Sequence, residues 1–353
     1  MNSRLKKILI KLGQQKLDAL FVSSPANISY LTKTQSRDSY LLISNKGIFY
    51  ITDSRYTEEA RLALEKSIKI KKVNGPLPGL IAELSLDYGL KRIGFEEKHL
   101  SFSGHMKIRK GLNKKIKLVP VPGIIEDSRQ IKETQEIKII KKAIRITAAA
   151  FKFIEGFIRP GQKEIELVAE LQRFIRYHAA GNSAFDIIAA SGPNSSFPHH
   201  IPGQRKIRRR EPVLIDMGID FLGYKTDLTR VFFLDKISAY GRKIYDIILE
   251  AQARALNKIK PGALTDEIDA AARQYITEKG YGGFFGHNLG HGVGLEVHEK
   301  PMISPKKSTR LKQGMIFTLE PAIYLPGEFG IRLEDMVLVT KKGYEVLSGA
   351  INK

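Results

Sequence analysis

The chain has 353 residues, a length that predicts about two domains, each large enough for its own core. This length excludes a small protein that is held together by disulfides. Apolar residues make up 42% and charged residues 27%, and no apolar stretch reaches the roughly 18 residues of a membrane span, so a membrane-spanning chain is not expected. Cysteine is absent, which excludes thiolate nucleophiles and thiolate metal sites, so any metal must bind histidines and carboxylates.

The net charge of +21 is spread along the chain. Residues 1–130 carry 24 Lys and Arg against 12 Asp and Glu, an excess of 12, and the remainder carries an excess of 9. The densest basic run, residues 206–210 (KIRRR), precedes a predicted strand and is interpreted as a solvated loop. Because no single basic stripe forms, nucleic-acid binding is the minority hypothesis.

The basic start, MNSRLKKILIKLGQQ, predicts an amphipathic first helix. Its apolar face is expected to consist of Leu5, Ile8, Leu9, Leu12 and Leu20. Lysines interrupt the apolar stretch and no small-residue cleavage site follows, so membrane targeting is a poor interpretation and the cytoplasm is the expected location.

From Leu17 to Pro122, short strand-like runs alternate with helix-like runs. LLISNKGIFYIT predicts two strands around an Asn-Lys-Gly turn, and the following segments read in order as helix (TEEARLALEKS), strand (KIKKV), helix (LPGLIAELSLDYG), strand (RIGFE), helix (SGHMKIRKGL) and strand (KIKLVPV). This alternation predicts an α/β domain without a cluster of polar residues that demands chemistry. Pro120, Pro122 and Gly123 mark its end, and we place the two domains at residues 1–128 and 129–353.

The second domain contains an internal repeat. ITAAAFKFIEGFIRPGQKEIELVAELQRFIRYHAAG and YDIILEAQARALNKIKPGALTDEIDAAARQYITEKGYGG both predict helix, Pro-Gly turn and helix, with the two Pro-Gly pairs 101 residues apart. A Gly/His-rich segment and then a β-hairpin follow each helix pair. The repeat therefore predicts two related α+β halves around a common sheet.

Each predicted hairpin carries two acidic residues within otherwise apolar strands, where an unpaired carboxylate is costly to bury. They are Asp216 and Asp227 in the first half and Glu320 and Glu334 in the second, and their offsets of 104 and 107 residues nearly match the repeat. A single strand acid commonly faces solvent, but four at matched positions are expected to meet at one place. Because like charges repel strongly in a shielded site, the four carboxylates predict two divalent ions between them.

Histidines add imidazoles to the same segments. Five of the eight histidines precede the two hairpins: His199, His200, His287, His291 and His298. A purely structural role stays open for each of them, and above all for His200. The HxxxH spacing at 287–291 resembles a zinc-binding helix, but glycines at 290, 292 and 294 disfavour a helix, so a loop leading into a strand is predicted.

At these residues the sequence resembles the pita-bread metallopeptidases, which include Xaa-Pro aminopeptidase (aminopeptidase P), prolidase and methionine aminopeptidase. The resemblance covers essentially the whole chain and rests on IDMGIDFLGYKTDLTR, HNLGHGVGLEVHEKP and FTLEPAIYLPGEFGIRLED, in that order. It implies an α/β plus α+β architecture, in which an N-terminal three-layer α/β domain precedes a duplicated pita-bread catalytic domain. The segments NISYLT and DSRYTEEA look like the creatinase-type N-terminal domain of proline-specific members, which a minimal methionine aminopeptidase lacks.

The resemblance implies five metal ligands: Asp216, Asp227, His291, Glu320 and Glu334. Asp227 and Glu334 would bridge two ions, Asp216 would complete one coordination shell, and His291 with Glu320 would complete the other. Carboxylate oxygens with one imidazole suit two divalent ions, with Mn²⁺ preferred and Co²⁺, Zn²⁺ or Fe²⁺ as alternatives.

The resemblance also implies roles outside the metal shells. Substrate-binding roles fall to His199, His287, His298 and Arg332, and catalytic roles to Glu320, His298 and His199. Glu320 would pass a proton to the leaving amine, and His298 would donate to the developing oxyanion. The chain departs from the family pattern at Ala322 and His200, where glycine is common, and neither departure affects a ligand.

The leading hypothesis from the sequence is a cytoplasmic dinuclear metallo-aminopeptidase that removes an N-terminal residue preceding proline. The alternative is a prolidase restricted to Xaa-Pro dipeptides. A hypothesis of another class, a non-catalytic nucleic-acid- or protein-binding protein on the same scaffold, is supported only by the charge of +21. The resemblance further suggests a homodimer in which the N-terminal domain walls the partner's active site.

Overall fold

Residues 1–178 and 181–353 are described by a computed structural model of the chain. Residues 179 and 180, near the end of the first repeat segment, lie outside the described residues. The chain divides into two units, Met1–Arg129 and Gln130–Lys353, and each is described separately below. Among the helices in the described ranges, none is both long enough and apolar enough to cross a membrane.

The first unit is built on a six-stranded mixed sheet with strand order β4-β3-β2-β1-β5-β6. Its strands are β1 (Ala19–Val22), β2 (Ser39–Ser44), β3 (Gly47–Thr52), β4 (Lys69–Lys72), β5 (Arg92–Glu96) and β6 (Lys117–Val121). Its helices are α1 (Ser3–Gln14), α2 (Pro25–Thr32), α3 (Thr57–Ala63), α4 (Leu77–Asp87), α5 (Phe102–Gly111) and α6 (Glu126–Arg129). The predicted alternation of strands and helices is confirmed, including the tight β2–β3 hairpin, in which Ser44 pairs with Gly47.

The prediction for the first helix is wrong at its end. Leu5, Ile8 and Leu12 are buried along α1 as expected, but Leu20 is a core residue of β1. The helix ends before Lys16, whose φ of 55° is left-handed and stops further helical hydrogen bonding. A helical period therefore matched an apolar residue that belongs to the next element.

The first unit also holds a buried polar cluster that the sequence reading missed. Glu96, at the end of β5, accepts the backbone N–H groups of Ser23 and Ser24 at 2.6 and 2.7 Å and the side-chain amide of Asn27 at 2.6 Å. Burial raises the pKa of Glu96, although these hydrogen bonds oppose the shift. The cluster ties β5 to the start of α2, and its role is structural.

The second unit contains the repeat. Its helices are α7 (Thr134–Phe157), α8 (Glu164–Tyr177), α9 (Ala239–Leu256) and α10 (Thr265–Glu278), with 3-10 turns at Gly192–Ser196 and Gly282–Phe284. Its strands are β7 (Asn182–Ser183), β8 (Ile188–Ser191), β9 (Pro212–Met217), β10 (Ile219–Phe221), β11 (Tyr224–Lys225), β12 (Leu228–Phe233), β13 (Gly290–Gly292), β14 (Glu299–Ile303), β15 (Ile316–Leu319), β16 (Ala322–Leu325), β17 (Phe329–Arg332), β18 (Asp335–Val339) and β19 (Tyr344–Val346).

The two halves repeat each other in detail. Gly161, between α7 and α8, and Gly262, between α9 and α10, share a φ of 90°, a left-handed conformation that favours glycine. Each glycine donates its N–H to a carbonyl oxygen at 2.8 Å, that of Ile207 in the first half and that of Leu311 in the second. The predicted duplication is therefore confirmed at the level of single hydrogen bonds.

The prediction of a common sheet is wrong. One main sheet has the order β12-β9-β8 and the other β14-β13-β15-β18-β19, and the loops inside the two hairpins form the smaller pairings β10–β11 and β16–β17. The two main sheets meet where Glu334 donates its N–H to the carbonyl oxygen of Thr229 at 3.2 Å. Isolated backbone bonds of this kind, which include the bond from the Lys225 N–H to the carbonyl oxygen of Gly294 at 2.7 Å, join the halves without a continuous ladder, and the bond of Glu334 lies at the acidic residues.

Helices cover the main sheets and leave the acidic residues between them. Val213, Ile215 and Met217 of β9 pack with α7 and α8, whereas Leu214 belongs to the core formed by α9 and α10. Successive strand residues face opposite sides, so Asp216 shares the face of Leu214, towards the second half.

Candidate metal centre and substrate cavity

The four predicted acids occupy matched positions at the strand ends. Asp216 lies within β9 and Glu320 directly follows β15, whereas Asp227 and Glu334 directly precede β12 and β18. Only Asp216 is thus inside a strand, which corrects the expectation that all four would be. Because β9 pairs antiparallel with β12, and β15 with β18, each pair of acids is brought to the same end of its hairpin.

The structure brings all five predicted ligands to one place. Three groups of side chains each offer ligand atoms that lie within 4.8 Å of one another. The groups are Asp216, Asp227 and Glu334; His291, Glu320 and Glu334; and Asp227, His291 and His298. Asp227, His291 and Glu334 each belong to two groups, and the two carboxylates among them each offer two oxygen atoms that two ions could share.

His291 points its Nε2 atom at the carboxylates. Nε2 lies 3.5 Å from Asp227 Oδ2 and 3.4 Å from Glu320 Oε1, while Nδ1 lies 3.1 Å from the carbonyl oxygen of Gly292. A proton on Nδ1 can be donated to that carbonyl, which leaves the Nε2 lone pair for a metal. Burial lowers the pKa of His291 to about 4, so the ring is neutral at pH 7, as a ligand must be.

The carboxylates are electrostatically unfavourable without cations. Burial raises the pKa of Glu320 to about 8, and burial followed by mutual repulsion raises the pKa of both Asp227 and Glu334 well above the ordinary range. Among the described residues, Asp216 Oδ1 is buried without a hydrogen-bond partner. A cluster of carboxylate oxygens with one neutral imidazole and an unpaired buried oxygen fits divalent cations.

Two threonines and one arginine hold the predicted ligands in place. Thr229 Oγ1 donates to Glu334 Oε2 at 2.7 Å and accepts from Arg332 Nε at 3.0 Å. In the other half, Thr318 Oγ1 accepts the N–H of His291 at 3.1 Å. Sequence reasoning missed both threonines, although each lies two residues from a predicted ligand (Asp227 or Glu320), a spacing that suits one face of a strand.

Arg332 is buried and donates hydrogen bonds to several protein partners. Nη2 donates to Asp216 Oδ2 at 2.6 Å, and Nη1 donates to Tyr324 Oη at 2.6 Å and to the carbonyl oxygen of Pro198 at 3.4 Å. These contacts make Arg332 a support for Asp216, and its direct contact with substrate stays a prediction. Tyr324, which the sequence analysis did not single out, links Arg332 to His287.

The other predicted histidines surround the cluster. His199 and His298 are exposed, and the His298 ring centroid lies 4.3 Å from that of His291. His287 is half-buried, with Nδ1 2.8 Å from the carbonyl oxygen of Asn288 and Nε2 3.1 Å from Tyr324 Oη. Burial lowers the pKa of His287 to about 4 and also lowers the pKa of His298, so both rings are neutral.

A cavity of 1130 Å³ contains the cluster. The predicted ligands and all five histidines of the two Gly/His segments line it. Its apolar lining includes Ile165, Val168, Phe185, Ile188, Phe284 and Val297. Convergent polar groups beside an apolar wall are typical of a site for a small, partly apolar substrate.

Comparison with known proteins places this site in a family. Residues 138–341 match metallopeptidase family M24, and residues 4–131 match the creatinase/prolidase N-terminal domain. The Xaa-Pro dipeptidase of Pyrococcus horikoshii is 35% identical over 353 aligned residues, which cover 99% of this chain and 97% of that one.

Two solved structures share the whole architecture. The Xaa-Pro dipeptidase of Bacillus anthracis is 37% identical, with a TM-score of 0.95 over 99% of this chain and 98% of that one. The X-Pro aminopeptidase of Thermotoga maritima is 35% identical, with a TM-score of 0.90 over 98% and 97%. The predicted resemblance and its pita-bread fold are confirmed, and the chain belongs to metallopeptidase family M24, with a creatinase/prolidase N-terminal domain before the catalytic domain.

Proposed function

We propose that the protein is an Xaa-Pro dipeptidase, a metal-dependent hydrolase of dipeptides that end in proline. The observation that carries the proposal is the end-to-end match to Xaa-Pro dipeptidases at 35% and 37% identity, in a chain whose five predicted ligands cluster. This reverses the order reached from the sequence alone, where the aminopeptidase ranked above the dipeptidase.

Two divalent ions would be held by Asp216, Asp227, His291, Glu320 and Glu334, with Mn²⁺ preferred and Co²⁺, Zn²⁺ or Fe²⁺ as alternatives. When bound, such ions lower the pKa of a water and polarise the scissile carbonyl. Of the three side chains that belong to two donor groups (Asp227, His291 and Glu334), the two carboxylates have a pair of oxygen atoms each, so they would be the residues shared between the ions.

Glu320 is assigned to proton transfer. Of the two acids in the second half, Glu320 is partly exposed and Glu334 is buried. Thr318 Oγ1 donates to Glu320 Oε1 at 3.4 Å. It would accept a proton from the attacking water and deliver it to the leaving nitrogen of proline. The nitrogen must gain a proton before the C–N bond breaks, because an amide anion is a poor leaving group.

We assign contacts with the substrate to the two exposed histidines of the cavity. His199 and His298 line the cavity and would donate N–H bonds to substrate oxygens, including the oxygen of the carbonyl under attack. A dipeptide also presents its own carboxylate close to the scissile bond, and neutral imidazoles can donate to it. His287 would fix the cavity wall through Tyr324.

The second candidate is an Xaa-Pro aminopeptidase. It is favoured by the Thermotoga maritima relative and by the cavity of 1130 Å³, which exceeds the roughly 300–1,000 Å³ usual for small-molecule sites and leaves room beyond a dipeptide. A non-catalytic binding protein is disfavoured because all five ligand types are retained.

The deciding experiment compares three substrates with the purified full chain and Mn²⁺. Xaa-Pro dipeptides should be hydrolysed, Xaa-Pro-Xaa tripeptides should be cleaved at least tenfold less efficiently, and Xaa-Ala dipeptides should be poor substrates. An Asp227→Ala variant controls for contaminating peptidases. Equal or faster cleavage of tripeptides would replace the dipeptidase with the aminopeptidase.

Homodimerisation and a cytoplasmic location stay predictions. Light scattering at micromolar concentration tests the first, and a monomer would remove it. Tight, salt-dependent nucleic-acid binding without hydrolysis would restore the binding-protein hypothesis.

A further inference from the structure

One buried carboxylate anchors the loop that carries His199. Glu164, the first residue of α8, is fully buried. Its Oε1 atom accepts the N–H and the hydroxyl of Ser191, both at 2.8 Å, and Oε2 lies 2.8 Å from Nε2 of His200.

The anchor contacts the loop, residues 192–203, along its length. Asn194, near the start of the loop, donates to Glu164 Oε1 at 3.0 Å, and Gly203, at its end, directs its N–H at Oε2 from 3.5 Å. Ile165 donates its N–H to the carbonyl oxygen of Gly203 at 3.2 Å, so the backbone of α8 holds the same end. The beginning, middle and end of the loop thus meet the first turn of α8.

The opposite side of the loop rests on β17. Gly330 donates its N–H to Ser195 Oγ at 2.9 Å, and a Cβ atom at Gly330 would overlap the carbonyl oxygen of Ser195. Arg332 reaches the carbonyl oxygen of Pro198 at 3.4 Å. These contacts hold residues 195–198, which precede His199. The bond between His200 and Glu164 holds the loop on the other side of His199.

His199 and His200 differ in their surroundings although they are neighbours. Both side chains line the cavity, but the His199 side chain is exposed, whereas the His200 side chain is 16% exposed and faces Glu164. A ring N–H donated to a buried carboxylate is a strong, directional bond. It fixes the backbone between the two side chains.

We infer that His200 is a positioning residue: its bond to Glu164 holds the loop so that His199 reaches the substrate. This inference rests on the proposed function, because that proposal assigns His199 to the substrate. His200 itself is not assigned a contact with substrate or metal.

The first test is a double-mutant cycle measured on Xaa-Pro dipeptides with the Mn²⁺-loaded full chain. His200→Ala should lower kcat/KM about tenfold, and His200→Gln, whose amide can still donate to Glu164, should stay within about threefold of wild type. In a His199→Ala background, His200→Ala should add less than about a twofold loss, because the group it positions is gone. Gln204→Ala, an exposed position just beyond the loop, is the matched control and should match wild type.

The second test does not depend on activity. Amide hydrogen exchange of residues 197–203 should be about tenfold faster in His200→Ala than in wild type or Gln204→Ala, with unchanged exchange in α9 and α10. If His200→Ala unfolds, His200→Leu keeps the volume without the donor and takes its place. Metal content should equal that of wild type in every variant.

The outcomes separate the two proposals. A wild-type protein that does not hydrolyse Xaa-Pro peptides overturns the proposed function, while the exchange data still decide whether His200 anchors the loop. An active wild type with unchanged kcat/KM and exchange in His200→Ala overturns the inference. The inference is also overturned if His200→Ala lowers kcat/KM by the same factor in the His199→Ala background as in the wild-type protein.

Discussion

Arg230 donates from Nη1 to the carbonyl oxygen of Glu334 at 2.6 Å, so a buried cation holds the backbone of a predicted metal ligand. Nη2 of the same guanidinium pairs with Asp335 Oδ1 at 2.8 Å, and Lys353 pairs with Asp335 Oδ2 at 2.6 Å. Although burial alone would raise the pKa of Asp335, the two cations more than offset it and the pKa is lowered. Asp335 is therefore ionised, and its charge balance depends on Arg230.

Replacing Arg230 by Met should destabilise the fold by about 3–5 kcal/mol, because it leaves a buried carboxylate short of one cation. Urea unfolding of the metal-free protein measures this change. The matched control is Arg242→Met, which removes an exposed pair with Asp246 and should cost less than about 0.5 kcal/mol. Equal stability of the two variants would contradict the structural role assigned to Arg230.

The paired glycines Gly161 and Gly262 predict equal costs in the two halves. Both have a φ of 90°, and no neighbouring atom lies within 4 Å of the position that a Cβ atom would take. An alanine at either site is therefore opposed by the backbone conformation alone. Each substitution should destabilise by about 1 kcal/mol, and the double variant should show the sum. Gly156→Ala, in α7 and equally open, should instead be neutral or stabilising. Thermal unfolding of the four variants checks the pattern.

Much of this site could be predicted because its residues carry strong local signals. Asp216 and Glu334 are acids in apolar surroundings, and the repeat alone indicated that they would meet. The glycines around His291 predicted a loop leading into a strand in place of a helix, and the structure confirms it, with residues 287–289 outside any helix or strand and His291 in β13.

The parts that were missed depend on tertiary contacts. Glu96 and Glu164 look like ordinary surface acids in the sequence, and only the fold brings backbone donors to them. The separation into two main sheets was also not predictable, because hairpin spacing does not show whether two ladders join. Helical periodicity misplaced Leu20 because an apolar residue fits a helix face or a strand equally well.

The metal-free protein should become less stable as the pH rises from about 7 to 8. The pKa of Glu320 is raised by burial from 4.5 to about 8, and the pKa values of Asp227 and Glu334 are raised as well. Below about pH 6.5 the lowered pKa values of His287, His291 and His298 oppose this effect, because these rings bind fewer protons in the native state than in the unfolded state. Between about pH 7 and 8 the histidines are mostly neutral in both states and the native state binds more protons through its carboxylates, so the free energy of unfolding falls with increasing pH in this window.

Thermal unfolding of chelated protein at pH 7, 7.5 and 8 measures this trend. Adding Mn²⁺ at pH 7–8 should recover the lost stability, because the ions replace the protons. Asp227→Asn removes one of the repelling carboxylates and should flatten the decline. A chelated protein whose stability is constant or rises over this range would show that the carboxylates are not strained without metal.

The last prediction separates metal binding from proton and oxyanion handling. Asp227→Ala removes a carboxylate shared by two donor groups, so metal content and activity should fall together. His298→Ala should keep about normal metal and lose on the order of 10² in kcat, because His298 is assigned to the substrate oxygen.

This comparison is informative because His298 lies close to two of the predicted metal ligands. One of its ring nitrogens lies within 4.8 Å of donor atoms of Asp227 and His291. Metal analysis and kinetics on the same preparations therefore decide its role, with Gln204→Ala as the control for handling. A His298 variant that loses its metal would make His298 a ligand, and one with full activity would remove it from the mechanism. The expected result, metal retained and turnover lost, requires that the five clustered ligands suffice to bind the ions.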